Sequence, residues 1–280
     1  MPNLSQGYAR SEAESAYPNL WKGLRGLWLP GIRTGGMGTN AVRDFSGRGN
    51  HGTMNGSMTT DDWVISKIRP GLSGYALDFD GIGTASGDYV HVTDNVHIAP
   101  MYITVSMWVK FDSVNNVNFP VPLERLPVNQ NYLFVLNADD KPIWRIVVGT
   151  VLKDATATAV VPTNTWELWT GTYDGTTSRL YRNANLAASL GVTGAIDDVA
   201  GNLVFGGQPG GGNASDCKIA DVRIYDRALK PYEIRQIYRG ASPLALAPSV
   251  VGLAPVVTGG PWPHHMDNQG LVGGFSSLGI

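Results

Sequence analysis

The chain has 280 residues, 43% of them apolar and only 16% charged, with 21 basic against 23 acidic side chains for a formal net charge of −2. That length and apolar content suffice to bury a sizeable core, while the near-neutral balance excludes a polybasic nucleic-acid binder and an acidic solvating tail. A single cysteine, Cys217, excludes an intrachain disulfide and a cysteine-based zinc site. There are 35 glycines and 17 prolines, and Asp outnumbers Glu by 18 to 5. Asp favours turns and Glu favours helix surfaces, so this bias points to many short strands rather than long helices.

Residues 1–22 read as a polar N-terminal arm without the basic and apolar regions of a signal peptide. Residues 23–239 read as a β-rich body. Its strand signals are Gly26–Leu29, Tyr75–Asp80, Tyr89–Val92, Tyr102–Phe111, Tyr132–Leu136, Ile143–Val148, Thr158–Val161, Trp166–Tyr173, Ser178–Arg182, Leu203–Phe205 and Lys218–Tyr225. In Tyr102–Phe111, Ile103, Val105, Met107, Val109 and Phe111 share one face and Thr104, Ser106, Trp108 and Lys110 the other. Trp108 makes that second face partly apolar, as in a strand covered on both sides. Tyr173-Asp174-Gly175-Thr176 reads as a tight hairpin turn. One helix is expected at Pro231–Arg239, with Pro231 in its first turn and Gly240 at its end. Residues 240–280 form an apolar arm rich in Gly and Pro whose only formal charge is Asp267. Its longest apolar stretch, Pro243–Thr258, is broken by Pro248 and Pro255, so no membrane insertion is expected. Short strands at this density predict an all-β, two-sheet antiparallel sandwich with one short C-terminal helix and extended arms at both ends.

Five segments stand in this order: Gly26-Leu27-Trp28; the turn Arg43-Asp44-Phe45-Ser46-Gly47-Arg48-Gly49-Asn50-His51-Gly52-Thr53; Ala76-Leu77-Asp78-Phe79-Asp80-Gly81, with Asp88-Tyr89-Val90 after it; the strand from Ile103 to Phe111; and Ile219-Ala220-Asp221-Val222-Arg223-Ile224-Tyr225-Asp226-Arg227-Ala228-Leu229 before Glu233-Ile234. Together with Trp166 and the Thr172-Tyr173-Asp174-Gly175 hairpin, they resemble the laminin-G-like, concanavalin-A-like jelly-roll family over about residues 24–239. Asn183-Ala184-Asn185 departs from the glycine-containing turn usual at that point. The resemblance implies a jelly roll. It also implies a candidate structural calcium ion held by Asp44 and Asp221, with Asn50 as a further oxygen donor. The competing reading of Asp44–Gly52 is a loop made rigid by its own side chains.

Enzymes of the wider fold carry paired carboxylates on one strand, whereas Glu12, Glu14, Glu124, Glu167 and Glu233 form no such pattern within the body. Asp78 and Asp80 share a strand face, but they belong to a turn-building element, so no catalytic residue is assigned and a polysaccharide hydrolase is disfavoured. His264 and His265, adjacent in sequence, are poor candidates for one metal, and Cys217 reads as core filler. Trp28, Trp108, Trp166 and Trp169 sit in strands, where core packing accounts for them better than sugar stacking does.

The expected function is that of a non-enzymatic virion structural protein, a capsid decoration or fibre component made in the host cytoplasm and released by lysis. The N-terminal sequence Leu4–Leu24 bears a looser similarity to laminin-G-like proteins of phage-like and environmental bacterial sequences. Leu244, Leu246, Val250, Leu253, Trp262 and Phe275 are the assembly-arm candidates, and the expected partners are further copies of the chain, capsid proteins and glycans, with no nucleic acid. The alternative is a stand-alone carbohydrate-binding module whose binding rim is Gly206–Asp216.

Overall fold

The computed structural model describes residues 17–30, 41–69, 72–81, 87–114, 119–127, 130–210 and 213–241. The first eight strands are β1 (Leu24–Trp28), β2 (Ala41–Val42), β3 (Gly52–Asn55), β4 (Trp63–Arg69), β5 (Leu72–Asp80), β6 (Tyr89–Val92), β7 (Ile103–Phe111) and β8 (Leu123–Arg125). They continue as β9 (Tyr132–Leu136), β10 (Pro142–Val148), β11 (Val151–Thr156), β12 (Glu167–Tyr173), β13 (Thr177–Arg182), β14 (Asn185–Gly191), β15 (Leu203–Phe205) and β16 (Asp216–Tyr225). Among the described residues two α-helices flank them, α1 (Pro18–Trp21) and α2 (Pro231–Tyr238). The first sheet runs β14-β13-β12-β7-β16-β5-β4, with β1 paired to the far half of β16; the second runs β11-β10-β9-β8-β15-β6-β3-β2. Every pairing between these strands is antiparallel, as a two-sheet jelly roll requires.

β7 shows how composition becomes architecture. Ile103, Val105, Met107, Val109 and Phe111 alternate into the space between the sheets and are all buried there. The opposite face is buried too. Trp108 stacks on Tyr238 of α2 with ring centroids 5.7 Å apart, and Leu20, Leu24, Ile234 and Ile237 complete this outer core. The polar residues of that face are bonded: Ser106 Oγ lies 3.1 Å from Thr170 Oγ1, and Thr104 Oγ1 donates to the Arg227 carbonyl. Leu20 is fully buried, so residues 17–22, which the sequence assigns to the arm, are packed against the body.

The central core is aromatic. Phe134 lies 4.9 Å from Trp144 and 5.8 Å from Trp169, centroid to centroid. Gly171 of β12 makes the Trp144 position possible, since a β carbon there would fall 2.2 Å from Trp144 Cδ2. All four tryptophans expected in strands pack: Trp28, Trp108 and Trp169 are buried, and Trp166 is partly buried against the outer core.

Local structure departs from expectation at several points. Thr158–Val161 is not a strand; the strand lies earlier, at Val151–Thr156. That segment is an edge with Val151 and Leu152 exposed and Lys153 and Asp154 half-buried, so it lacks a clear alternating pattern. β2, β3, β4, β8 and β14 also have no counterpart among the expected strands. The unusual turn resolves physically: Asn183 and Ala184 both take positive φ, 52° and 63°, and Asn183 Oδ1 accepts the Leu168 N–H at 2.9 Å. Among the described residues no helix is long and apolar enough to cross a membrane.

Two outcomes are expected. Gly171→Ala should lower stability by about 1–3 kcal/mol in urea unfolding. Gly191→Ala, where an added β carbon meets nothing within 4 Å, should cost little by comparison. The Glu233 carboxyl caps α2. Burial would raise its pKa, but hydrogen bonds from Arg227 and the Lys230 N–H outweigh that and hold it below the ordinary value. A depressed folded pKa gives stability that is present above the unfolded value of about 4.3 and is lost as pH falls through the folded one. Thermal melts of Glu233→Gln should therefore lose part of the wild-type decline in that acid range.

Candidate functional site

The pleat of the second sheet sorts its residues into two rows. Cross-strand pairing aligns Met54, Val90, Phe205, Leu123, Phe134, Trp144 and Ala155 into one row across six strand pairings, and all of them join the central core. One residue out of phase, the same pairings align Thr53, His91, Val204, Glu124, Leu133, Arg145 and Asp154 on the outer face. Among the described residues this face carries no helix like α2. It holds instead a small separate apolar cluster of Val121, Leu133, Val135 and Ile143.

That cluster is the floor of a groove of about 350 Å³, within the size range of small-ligand sites. Phe119 forms one wall, with 46% of its surface exposed and its backbone at φ 45°. Positive φ is strained for a bulky side chain, and such strain collects at functional sites. Polar groups come from three loops and strands. Asn137 lies in the β9–β10 turn, where its Oδ1 accepts the N–H groups of Asp139 at 3.0 Å and Lys141 at 2.9 Å. Arg145 forms a two-point pair with Asp154, Nε to Oδ1 at 2.6 Å and Nη2 to Oδ2 at 2.7 Å. Asn213 enters from the β15–β16 loop, and its carbonyl accepts the Val121 N–H at 3.2 Å. On the same outer row, Glu124 is fully buried and accepts from Gln208 of that loop.

A second cavity of about 320 Å³ lies at one end of the sandwich, between the exposed side chains of Val96, Met101 and Tyr102 and the Arg25–Asp226 ion pair.

The loop expected to form a binding rim, Gly206–Asp216, thus borders the groove through Asn213 and reaches Glu124 through Gln208. Phe119, Asn137 and Arg145 carried no sequence motif; the pairing of β8, β9 and β10 brings them together. Asp44 and Asp221 are engaged otherwise than the calcium expectation requires. Asp44 is buried and accepts four hydrogen bonds: from the Leu27 and Ser46 N–H groups on Oδ1, and from Ser46 Oγ and the Asn50 N–H on Oδ2, at 2.8–3.0 Å. Asn50 Nδ2 donates to the Arg25 carbonyl at 2.7 Å, which completes a self-bonded loop. Asp221 sits at a bulge in β16 with φ 48° and is held two-point by the buried Arg223 at 2.6 Å. A carboxylate saturated by N–H and O–H donors and another neutralised by an arginine do not fit a calcium ion. Among the described residues there is no group of three or more His, Cys, Asp or Glu suited to a metal. Asp78 is paired with Lys218 at 2.8 Å rather than with Asp80. Leu244, Leu246, Val250, Leu253, Trp262 and Phe275, like His264 and His265, lie outside the described residues.

A family model described as the concanavalin A-like lectin/glucanases superfamily, Laminin_G_3, matches residues 84–235, just over half of the chain. The chain belongs to this superfamily. No curated protein matches it in sequence. Among solved structures, the binding domain of Paraclostridial mosquitocidal protein 1 is similar with a TM-score of 0.59 at 16% identity, covering 78% of this chain and 52% of that one. Domain 4 of AbnA, a GH43 extracellular arabinanase from Geobacillus stearothermophilus in complex with arabinotriose, gives 0.55 at 17% identity and covers 77% of this chain and 98% of that one. The receptor-binding domain of a botulinum neurotoxin C/D mosaic serotype gives 0.57 at 16% identity, covering 78% and 51%. The chain therefore spans about half the length of the two toxin domains, and identities this low establish a shared fold.

Since Asp44 leaves three buried N–H groups without an acceptor when truncated, Asp44→Ala should destabilise by about 2–4 kcal/mol. A chelator should leave the wild-type melting temperature unchanged, as read by differential scanning calorimetry.

Proposed function

We propose that this domain is a lectin-like module that binds a neutral glycan in the outer-face groove of the second sheet and performs no chemistry on it. The observation that carries the reading is the groove itself: an apolar floor, an exposed and strained aromatic wall at Phe119, and a fixed amide at Asn137. Sugars present apolar C–H faces and hydroxyl edges, which suits an aromatic wall beside a few placed hydrogen-bonding groups. The arabinotriose complex of a similarly folded domain and the receptor-binding role named for the botulinum neurotoxin domain support the same class of activity.

A hydrolytic role fits the outer row poorly. Glycoside hydrolysis needs two carboxylates free to act as acid and as base or nucleophile. Asp154 is neutralised by Arg145, and Glu124 is buried against Gln208.

The wider role we propose is display on a virion surface, as a capsid decoration or fibre component, with residues 240–280 as the attachment arm. What favours it is composition, a 41-residue apolar stretch whose single formal charge is Asp267.

Glycan-array screening followed by calorimetry tests the first part. Phe119→Ala should weaken binding about tenfold. Tyr102→Ala, in the end cavity, should leave it unchanged. A folded wild-type domain that binds no glycan would overturn the reading. For the second part, deletion of residues 241–280 should abolish particle association while leaving the body folded.

A further inference from the structure

Resting on the glycan-binding reading above, the groove's chemistry narrows its ligand: we infer that it takes the acetamido group of a neutral N-acetylhexosamine, with the methyl on the floor and the carbonyl at Asn137. Charge disfavours an acidic sugar first. Among the described residues lining the groove the one charged side chain is Arg145, and its guanidinium is held two-point by Asp154, at 2.6 and 2.7 Å. Lys141, beside the same turn, is paired with Asp139 at 3.1 Å. A carboxylate or sulfate entering here would have to compete with Asp154 for Arg145 and with Asp139 for Lys141.

The floor next favours a ligand that adds a methyl group over a plain hexose. Val121, Leu133, Val135 and Ile143 are each no more than 6% exposed and offer no hydrogen-bonding side chain. A hydroxyl pressed on them would lie desolvated and unpaired, whereas a methyl group gains from the contact. Asn137 then supplies the complementary polar contact. Two backbone N–H groups fix its Oδ1, so turning the amide round would break both bonds. The group left to offer the ligand is Nδ2, a donor. A donor at the lip of an apolar floor matches a carbonyl next to a methyl, which is the acetamido group.

Saturation-transfer NMR and calorimetry on the full chain, with N-acetylglucosamine, N-acetylgalactosamine, glucose, fucose and N-acetylneuraminic acid as probes, test this. The expected result is binding of an N-acetylhexosamine with the strongest transfer to its acetyl methyl, and at least tenfold weaker binding of glucose and N-acetylneuraminic acid. Asn137→Asp keeps an acceptor for the turn but replaces the donor, and should weaken the N-acetylhexosamine about tenfold at an unchanged melting temperature. Val135→Thr, near-isosteric, tests the floor in the same way should Asn137→Asp unfold. Equal binding of glucose, tighter binding of fucose or N-acetylneuraminic acid, or no effect of either folded variant would overturn the acetamido assignment and leave glycan binding standing. Failure of every sugar here and on the array would remove both.

Discussion

The pleat of the second sheet is the constraint on which the rest depends. Phe134 must face inward to meet Trp169, and Trp144 to meet Phe134 and lie over Gly171, and this fixes the phase of β9 and β10. With the phase fixed, Leu133 and Arg145 have no choice but to face outward, and pairing across β8, β15 and β6 carries that parity to Glu124, Val204 and His91. The groove is thus a geometric by-product of the core. A one-residue slip in β9 would turn Leu133 and Val135 inward and scatter the floor.

The few charges in this chain hold backbone in place more than they dress the surface. Arg223 and Asp221 secure a bulge in the closing strand, and Arg182 ties Glu167 to the carbonyls of Ala159 and Val160. Arg125, almost fully buried, joins Asp94, Asp198 and Asn131. Asp44 does the same work without a cation, through backbone donors. This explains why residue types that suit calcium or catalysis on paper serve folding here.

Much of the fold was legible because the central strands repeat every two residues: β7, β12 and β16 announce themselves through Met107, Trp169 and Ile224 and their alternating neighbours. Edge strands were not legible. In β14 and β11 neither face is fully buried, so Leu186 and Leu152 are exposed and no alternation survives. The site was less legible still. The 206–216 loop drew attention through its glycines, but Phe119, Asn137 and Arg145 are separated in sequence and meet only through strand pairing and turn geometry, to which one sequence is blind. Asp44 and Asp221 illustrate the reverse case, where the residue types were conspicuous and their partners invisible.

The two outer faces are unequal in what they tolerate. On the first sheet, Trp108, Leu20 and Ile237 are packed beneath α2, so a change there is felt by the helix, the N-terminal segment and the closing strand together. On the second sheet, the floor residues form a patch separate from the central core, bordered by loops. Substitutions in that patch leave the packing of the aromatic centre in place. If the groove binds as proposed, selection can diversify ligand preference on one side of the sandwich while the other side preserves the scaffold.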